Sequence, residues 1–192
     1  MSERIRKPLF QSPKPEAGAA VYDHDPSRLI EDMYRRVWET SMHDMPFVNP
    51  ALSIAAVGFR RHLGDWVGAV VSPWFLNLFI LPGGGRLWTD LGSGDRARLA
   101  FPVGELEFIA DYDPDGAVPA YQYCPLIAPV TQFATHEAAV AAAEAALDAL
   151  LAPAAAAQGD DAEDLAPAGP VAVADAVPPR RAFFRGLAGR GS

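Results

Sequence analysis

Cysteine is almost absent. Cys124 stands alone among 192 residues, which excludes an intramolecular disulfide and leaves no thiolate set for a metal cluster. That usage suits a reducing cytoplasm. Basic charge is also scarce: 16 Lys and Arg face 24 Asp and Glu, for a net charge of −8. Phosphate backbones need a basic face, so no nucleic-acid partner is expected. A membrane-length apolar run is missing as well. Between Trp66 and Leu81 there are 16 uncharged residues, short of the roughly 18–20 that a spanning helix requires. The basic N-terminal stretch has no apolar segment behind it and does not read as a secretion signal.

Catalytic signatures are missing too. No Gly-x-Ser-x-Gly elbow, P-loop or dinucleotide fingerprint occurs. Gly83, Gly84 and Gly85 follow Pro82, but no Lys-Ser or Lys-Thr comes after them, so a flexible loop is expected. His24, His43, His62 and His136 show no metal spacing. Asp111, Asp113 and Asp115 precede Gly116, yet Pro114 and the lack of a twelfth-position glutamate exclude an EF-hand. Cys124 reads as a packed small hydrophobe; a catalytic thiol would need a histidine folded against it. No catalytic, metal-ligating or cofactor-binding residue is assigned.

What the chain does have is one dominant apolar tract, Pro46–Pro82. Valines in Trp66–Ser72 and aromatic and branched residues in Trp74–Leu81 suit buried strands. Pro73 cannot donate to a ladder and fits between the two. Asn77 is the polar intruder. An amide there needs a partner, and a bond to a neighbouring backbone is the expected one.

Around this tract the spacing predicts an α+β, two-layer domain: an antiparallel sheet of about five strands packed by an N-terminal and a C-terminal helix, with disordered tails. Residues 1–24 lack periodicity and read as disordered. Asp25 and Pro26 open a helix reaching Ser41, in which Leu29, Ile30, Met33, Tyr34, Val37 and Trp38 form one apolar stripe. Strands are expected at Ile54–His62, Trp66–Ser72, Trp74–Ile80, Arg98–Phe101 and Leu106–Tyr112, with Tyr121–Cys124 a further candidate. Thr135 caps a last helix to Leu151. The domain proper is therefore 25–151. Residues 152–179 are rich in Ala, Pro and acid and read as a disordered linker, and 180–192 form a basic tail.

The order of landmarks points to a family. Phe47-x-Asn49-Pro50, Ala56-Val57-Gly58-Phe59, Trp66-x-Gly68, Pro73-Trp74-Phe75-x-Asn77, Leu81-Pro82-Gly83, Phe101-Pro102-x-Gly104 and Tyr121-Gln122-x-Cys124 occur in sequence. This resembles the HybE/HupJ family of [NiFe]-hydrogenase assembly chaperones over residues 28–151. Pro125 departs from the pattern, where serine is expected, and the Cys-x-x-Cys of rubredoxin-linked members is missing.

The resemblance implies a cytoplasmic chaperone, not an enzyme. It would bind the hydrogenase small-subunit precursor, or its twin-arginine signal peptide, until cofactor assembly is complete, and other hydrogenase accessory proteins are further possible partners. The alternatives are a scaffold for maturation factors that does not touch the signal peptide, and a thiol enzyme using Cys124. Trp66, Pro73, Trp74, Asn77, Trp88, Phe101, Tyr121 and Cys124 are the expected partner-binding residues. In the tail, Arg180, Arg181, Phe183 and Phe184 resemble the core of a twin-arginine signal. Two readings stand: a basic tail that aids solubility, and a mimic of the client.

Overall fold

The computed structural model describes residues 18–153. The first 17 residues, most of the acidic linker and the twin-arginine-like tail lie outside the described residues.

Helix α1, Ser27–Val37, begins where the Asp25 carboxylate accepts the Ser27 N–H at 2.9 Å. An acid at that point satisfies an orphan donor and complements the helix dipole. Its apolar stripe buries Ile30. The helix does not stop at Val37. It widens into a π-helical turn, Trp38–Met42, in which the His43 N–H bonds the Trp38 carbonyl at 3.1 Å.

Six strands follow: β1 Ala55–His62, β2 Asp65–Val71, β3 Leu76–Leu81, β4 Arg96–Phe101, β5 Gly104–Tyr112 and β6 Ala120–Ile127. All pair antiparallel in the order β1-β2-β3-β6-β5-β4. This is one strand more than the approximate five, because Tyr121–Cys124 is the middle of a full strand. β6 returns between β3 and β5, so the last strand in sequence is central in space.

Local chemistry fixes the turns. Leu63 and Gly64 both take positive φ, 50° and 94°, as a two-residue hairpin turn demands. Ser72 closes the β2–β3 turn: its hydroxyl accepts the Phe75 N–H at 3.0 Å, and its N–H bonds the Phe75 carbonyl at 2.9 Å. That leaves Pro73 in the turn, where its missing donor does no harm.

The helices take opposite faces of the sheet. Helix α2, His136–Leu151, is capped by Thr135, whose hydroxyl accepts the Ala138 N–H at 3.2 Å. Its Ala139, Ala143, Leu147 and Leu150 pack with Val67, Ala69, Val71, Leu76, Leu78, Ile80, Phe108 and Cys124. Helix α1 places Ile30, Met33 and Tyr34 against Val70, Phe75, Phe79 and Leu81 on the other face. Period-two alternation makes both faces of β2 and β3 apolar, which is why the central tract reads as an unbroken hydrophobic run.

Two expectations are corrected. Residues 19–23 were expected among the disordered first 24, but they are tied to the sheet. The Tyr22 N–H bonds the Pro82 carbonyl at 2.9 Å, and Trp66 Nε1 donates to the Tyr22 carbonyl at 2.8 Å. The Pro82–Gly85 loop is pinned rather than flexible. Asp65, fully buried, accepts the N–H groups of Gly83, Gly85, Leu87 and Trp88 at 2.8–2.9 Å. Glycine is required there by close approach: a Cβ on Gly85 would lie 2.4 Å from the Leu63 carbonyl oxygen. The backbone donors converging on Asp65 are 18 to 23 residues away in sequence, which is why sequence spacing did not single this residue out.

Candidate partner-binding face

The α1 face of the sheet carries a continuous aromatic system. The Trp38 and Trp74 indoles stack with centroids 6.1 Å apart and planes within 6°. Tyr34 stands edge-on to Trp74 at 6.2 Å, to Phe75 at 5.0 Å and to Phe79 at 5.9 Å. Phe79 continues to Tyr121 at 5.4 Å and to Tyr123 at 6.2 Å. Trp38, Trp74, Tyr34, Tyr121 and Tyr123 are each only half-buried. Such contacts each contribute about 0.5–1.5 kcal/mol beyond the area they bury.

The π-helical turn starts at Trp38, where α1 meets Trp74. The next loop carries exposed Met45 and Phe47. It is held at the same end of the sheet because the Asn49 N–H bonds the Pro73 carbonyl at 2.7 Å. Asn49 also anchors that loop to the chain before α2, its amide donating to the carbonyls of Val130 and Phe133.

At the other end of the aromatic system lies an acid. Asp111 of β5 stands opposite Tyr121 in register. The Tyr121 hydroxyl donates to one carboxylate oxygen at 2.7 Å, and Ser93 donates to the other at 2.9 Å. The Tyr121 hydroxyl also engages that of Tyr34. Burial foremost, and then the neighbouring Tyr34 and Asp111, push the Tyr121 phenol far above its usual range. Tyr34 is raised as well, chiefly by burial. Both therefore stay neutral.

Of the eight expected residues, the structure brings Trp66, Trp74, Asn77 and Tyr121 to this face. Pro73 is buried in the turn beside Trp74. Trp88, Phe101 and Cys124 belong to the opposite, α2-side core. Trp66 is occupied: besides its bond to Tyr22, the Arg61 guanidinium lies 4.6 Å over its ring. Asn77 differs from expectation. It is 6% exposed, and its Oδ1 has no hydrogen-bond partner. The expected backbone bond is not made to this oxygen, and Pro125, opposite Asn77 in register, has no N–H to offer.

Sequence reasoning missed Asp111, Tyr34, Trp38 and Tyr123 as members of one surface. Tyr34 and Trp38 were visible in the helical stripe, but nothing local joined them to Trp74. Asp111 was visible only in the Asp111, Asp113, Asp115 run, which nothing local joined to Tyr121.

Among the described residues no group of three or more His, Cys, Asp or Glu could hold a metal ion. No helix among them is long and apolar enough to cross a membrane.

The fold has a solved counterpart. The solution structure of HybE from Escherichia coli superposes with a TM-score of 0.57 at 20% identity, covering 85% of this chain and 98% of that one. The family described as [NiFe]-hydrogenase assembly, chaperone, HybE matches residues 25–186. The chain belongs to that family of hydrogenase assembly chaperones. The match runs past Leu151 and takes in Arg180 to Gly186.

Relatives agree. The hydrogenase expression/formation protein HupJ of Bradyrhizobium diazoefficiens is 40% identical over 144 residues, 74% of this chain and 79% of that protein. The probable rubredoxin HupJ of Rhodobacter capsulatus is 42% identical over 125 residues, 65% of this chain. The matched region spans only 44% of that longer protein.

Proposed function

We propose that this chain is a cytoplasmic chaperone that holds the small-subunit precursor of a [NiFe]-hydrogenase, through its twin-arginine signal peptide, until cofactor assembly is complete. It acts by binding, without a catalytic step. The observation that carries the reading is the stacked, half-exposed Trp38–Trp74 pair at the end of an aromatic sheet face. Rigid aromatics at a partly exposed surface are the usual anchors of protein recognition. A signal peptide offers an apolar segment for that face and positive charge for a chain of net charge −8. Co-purification tests it: tagged protein retains the precursor from cells that make it intact and loses it when the signal peptide is deleted. Equal retention of both forms would favour recognition of the folded subunit instead.

The same chemistry recurs in Arg180, Arg181, Phe183 and Phe184, within the span that the family match covers. In this proposal those residues mimic the client and compete with it. The 28 residues from Ala152 to Pro179 would span about 25–35 Å as a free chain, ample for intramolecular competition. Truncation after Leu151 should then tighten signal-peptide binding, most clearly at low salt. Equal affinities of the full and truncated chains, measured by titration calorimetry, rule out the competition.

A further inference from the structure

The geometry points to a polarity for the client, on the reading that the α1 face holds the signal peptide: Asp111 receives the basic side chains, and the apolar continuation runs along β6 toward Trp74 and Trp38. Asp111 is the anchor of this inference. It is half-buried, and among the described residues its only partners are two neutral hydroxyls, Ser93 and Tyr121. Each carboxylate oxygen accepts one of these bonds and keeps a lone pair. The acid is thus fixed in place while its charge is left uncompensated. A guanidinium can bond a carboxylate in a bidentate manner and lie against aromatic faces. Tyr121 and Tyr123 supply such faces beside it.

The remaining charges on this face set the limits. Glu107 is already paired with Arg96, and Glu105 lies exposed at the start of β5, six residues from Asp111 along the strand. Arg96 and Arg98 of the edge strand β4 share the face, since they pair with Ile109 and Glu107. They repel a basic peptide from that edge and confine it to β5, β6 and β3.

A second observation marks the path. Tyr121, Tyr123 and Pro125 alternate onto one face of β6, with Pro125 exposed and opposite Asn77. Asn77 is more than nine-tenths buried on that face, with Oδ1 unpartnered. A rotation of the Asn77 side chain toward this strip would let a peptide supply the missing donor. From Tyr121 to Pro125 the strand rises about 13 Å, which four or five extended residues match. Trp74 lies just beyond Asn77. A basic pair followed by an apolar run fits this surface in one direction only.

Two synthetic peptides test the inference: two arginines followed by eight alternating Leu and Ala residues, and the same with glutamines for the arginines. Calorimetry on the unaltered protein should show about ten-fold or greater preference for the arginine peptide. The Asp111→Asn protein should bind both at the glutamine level. Trp74→Ala should weaken both equally. A nitroxide on the arginine end should broaden the Ser93 and Tyr121 amide signals, and one on the apolar end the Trp38 and Trp74 indole signals. Equal affinity of the unaltered protein for the two peptides, or the reversed broadening pattern, overturns the inference. The glutamine peptide keeps the test valid if Asp111→Asn fails to fold. If the protein binds neither peptide yet still co-purifies with the precursor, this inference fails and the proposed function stands. If it does neither, both fail.

Discussion

At Asn77 the proposed binding role can be separated from stability by experiment. A buried carbonyl oxygen without a donor is a penalty of about 1–3 kcal/mol already present in the fold. Removing the amide relieves that penalty while opening a small cavity. Asn77→Ala should therefore change stability by no more than about 1 kcal/mol, read as a urea midpoint, while weakening client binding by a larger factor. Thermal collapse of the variant, with unchanged affinity in whatever remains folded, would make Asn77 a structural residue. Cys124 makes the opposite case. It lies in the α2-side core, 7% exposed and opposite Leu78, as a small buried hydrophobe would.

Among the elements, what could be read in the sequence divides by range. Helix α1 announced itself through its stripe and through Asp25, and α2 through Thr135, because caps and helical periods are local. Strand β5 was legible as the expected strand Leu106–Tyr112. The insertion of β6 between β3 and β5 did not, because pairing across long separations leaves no mark in spacing. Asp65 was hidden for the same reason. Its partners are backbone N–H groups, which every residue carries.

The loop these donors hold, Pro82 to Trp88, stands or falls with that carboxylate. Burial raises a carboxylic acid's pKa and is the largest influence on Asp65, yet the four N–H bonds together outweigh it and hold the acid below its ordinary 3.8. A depressed folded-state pKa means the carboxylate's contribution is complete above the unfolded value and is lost as pH falls through the folded one. Asp65→Asn leaves donors facing an amide NH₂ and should lower stability by about 3 kcal/mol at pH 7. The gap should narrow only as pH drops below about 3.8. Urea melts of both proteins at pH 7 and pH 3 decide this, and a gap equally large at pH 3 contradicts the assigned role.

On the scale of the whole molecule, the two faces of the sheet are packed differently. One is closed by α2 around aliphatic side chains. The other is only partly closed by α1 and leaves indoles and phenols half-exposed, with an acid at the far end. The sequence motifs shared with the family distribute over both faces, so a motif alone did not reveal whether a residue packs or binds. Trp88, Phe101 and Cys124 belong to the α2-side core, while Trp74 and Tyr121 stay half-exposed on the α1 side.

In the proposed complex a hydrogenase small-subunit signal peptide binds the α1 face. Titration calorimetry of that peptide against the unaltered chain and a Trp38→Ala/Trp74→Ala variant tests it most directly. Loss of two hot-spot aromatics should weaken binding at least about thirty-fold, roughly 2 kcal/mol or more, while far-ultraviolet circular dichroism shows the fold retained. Undiminished affinity in a folded double variant would contradict the claim.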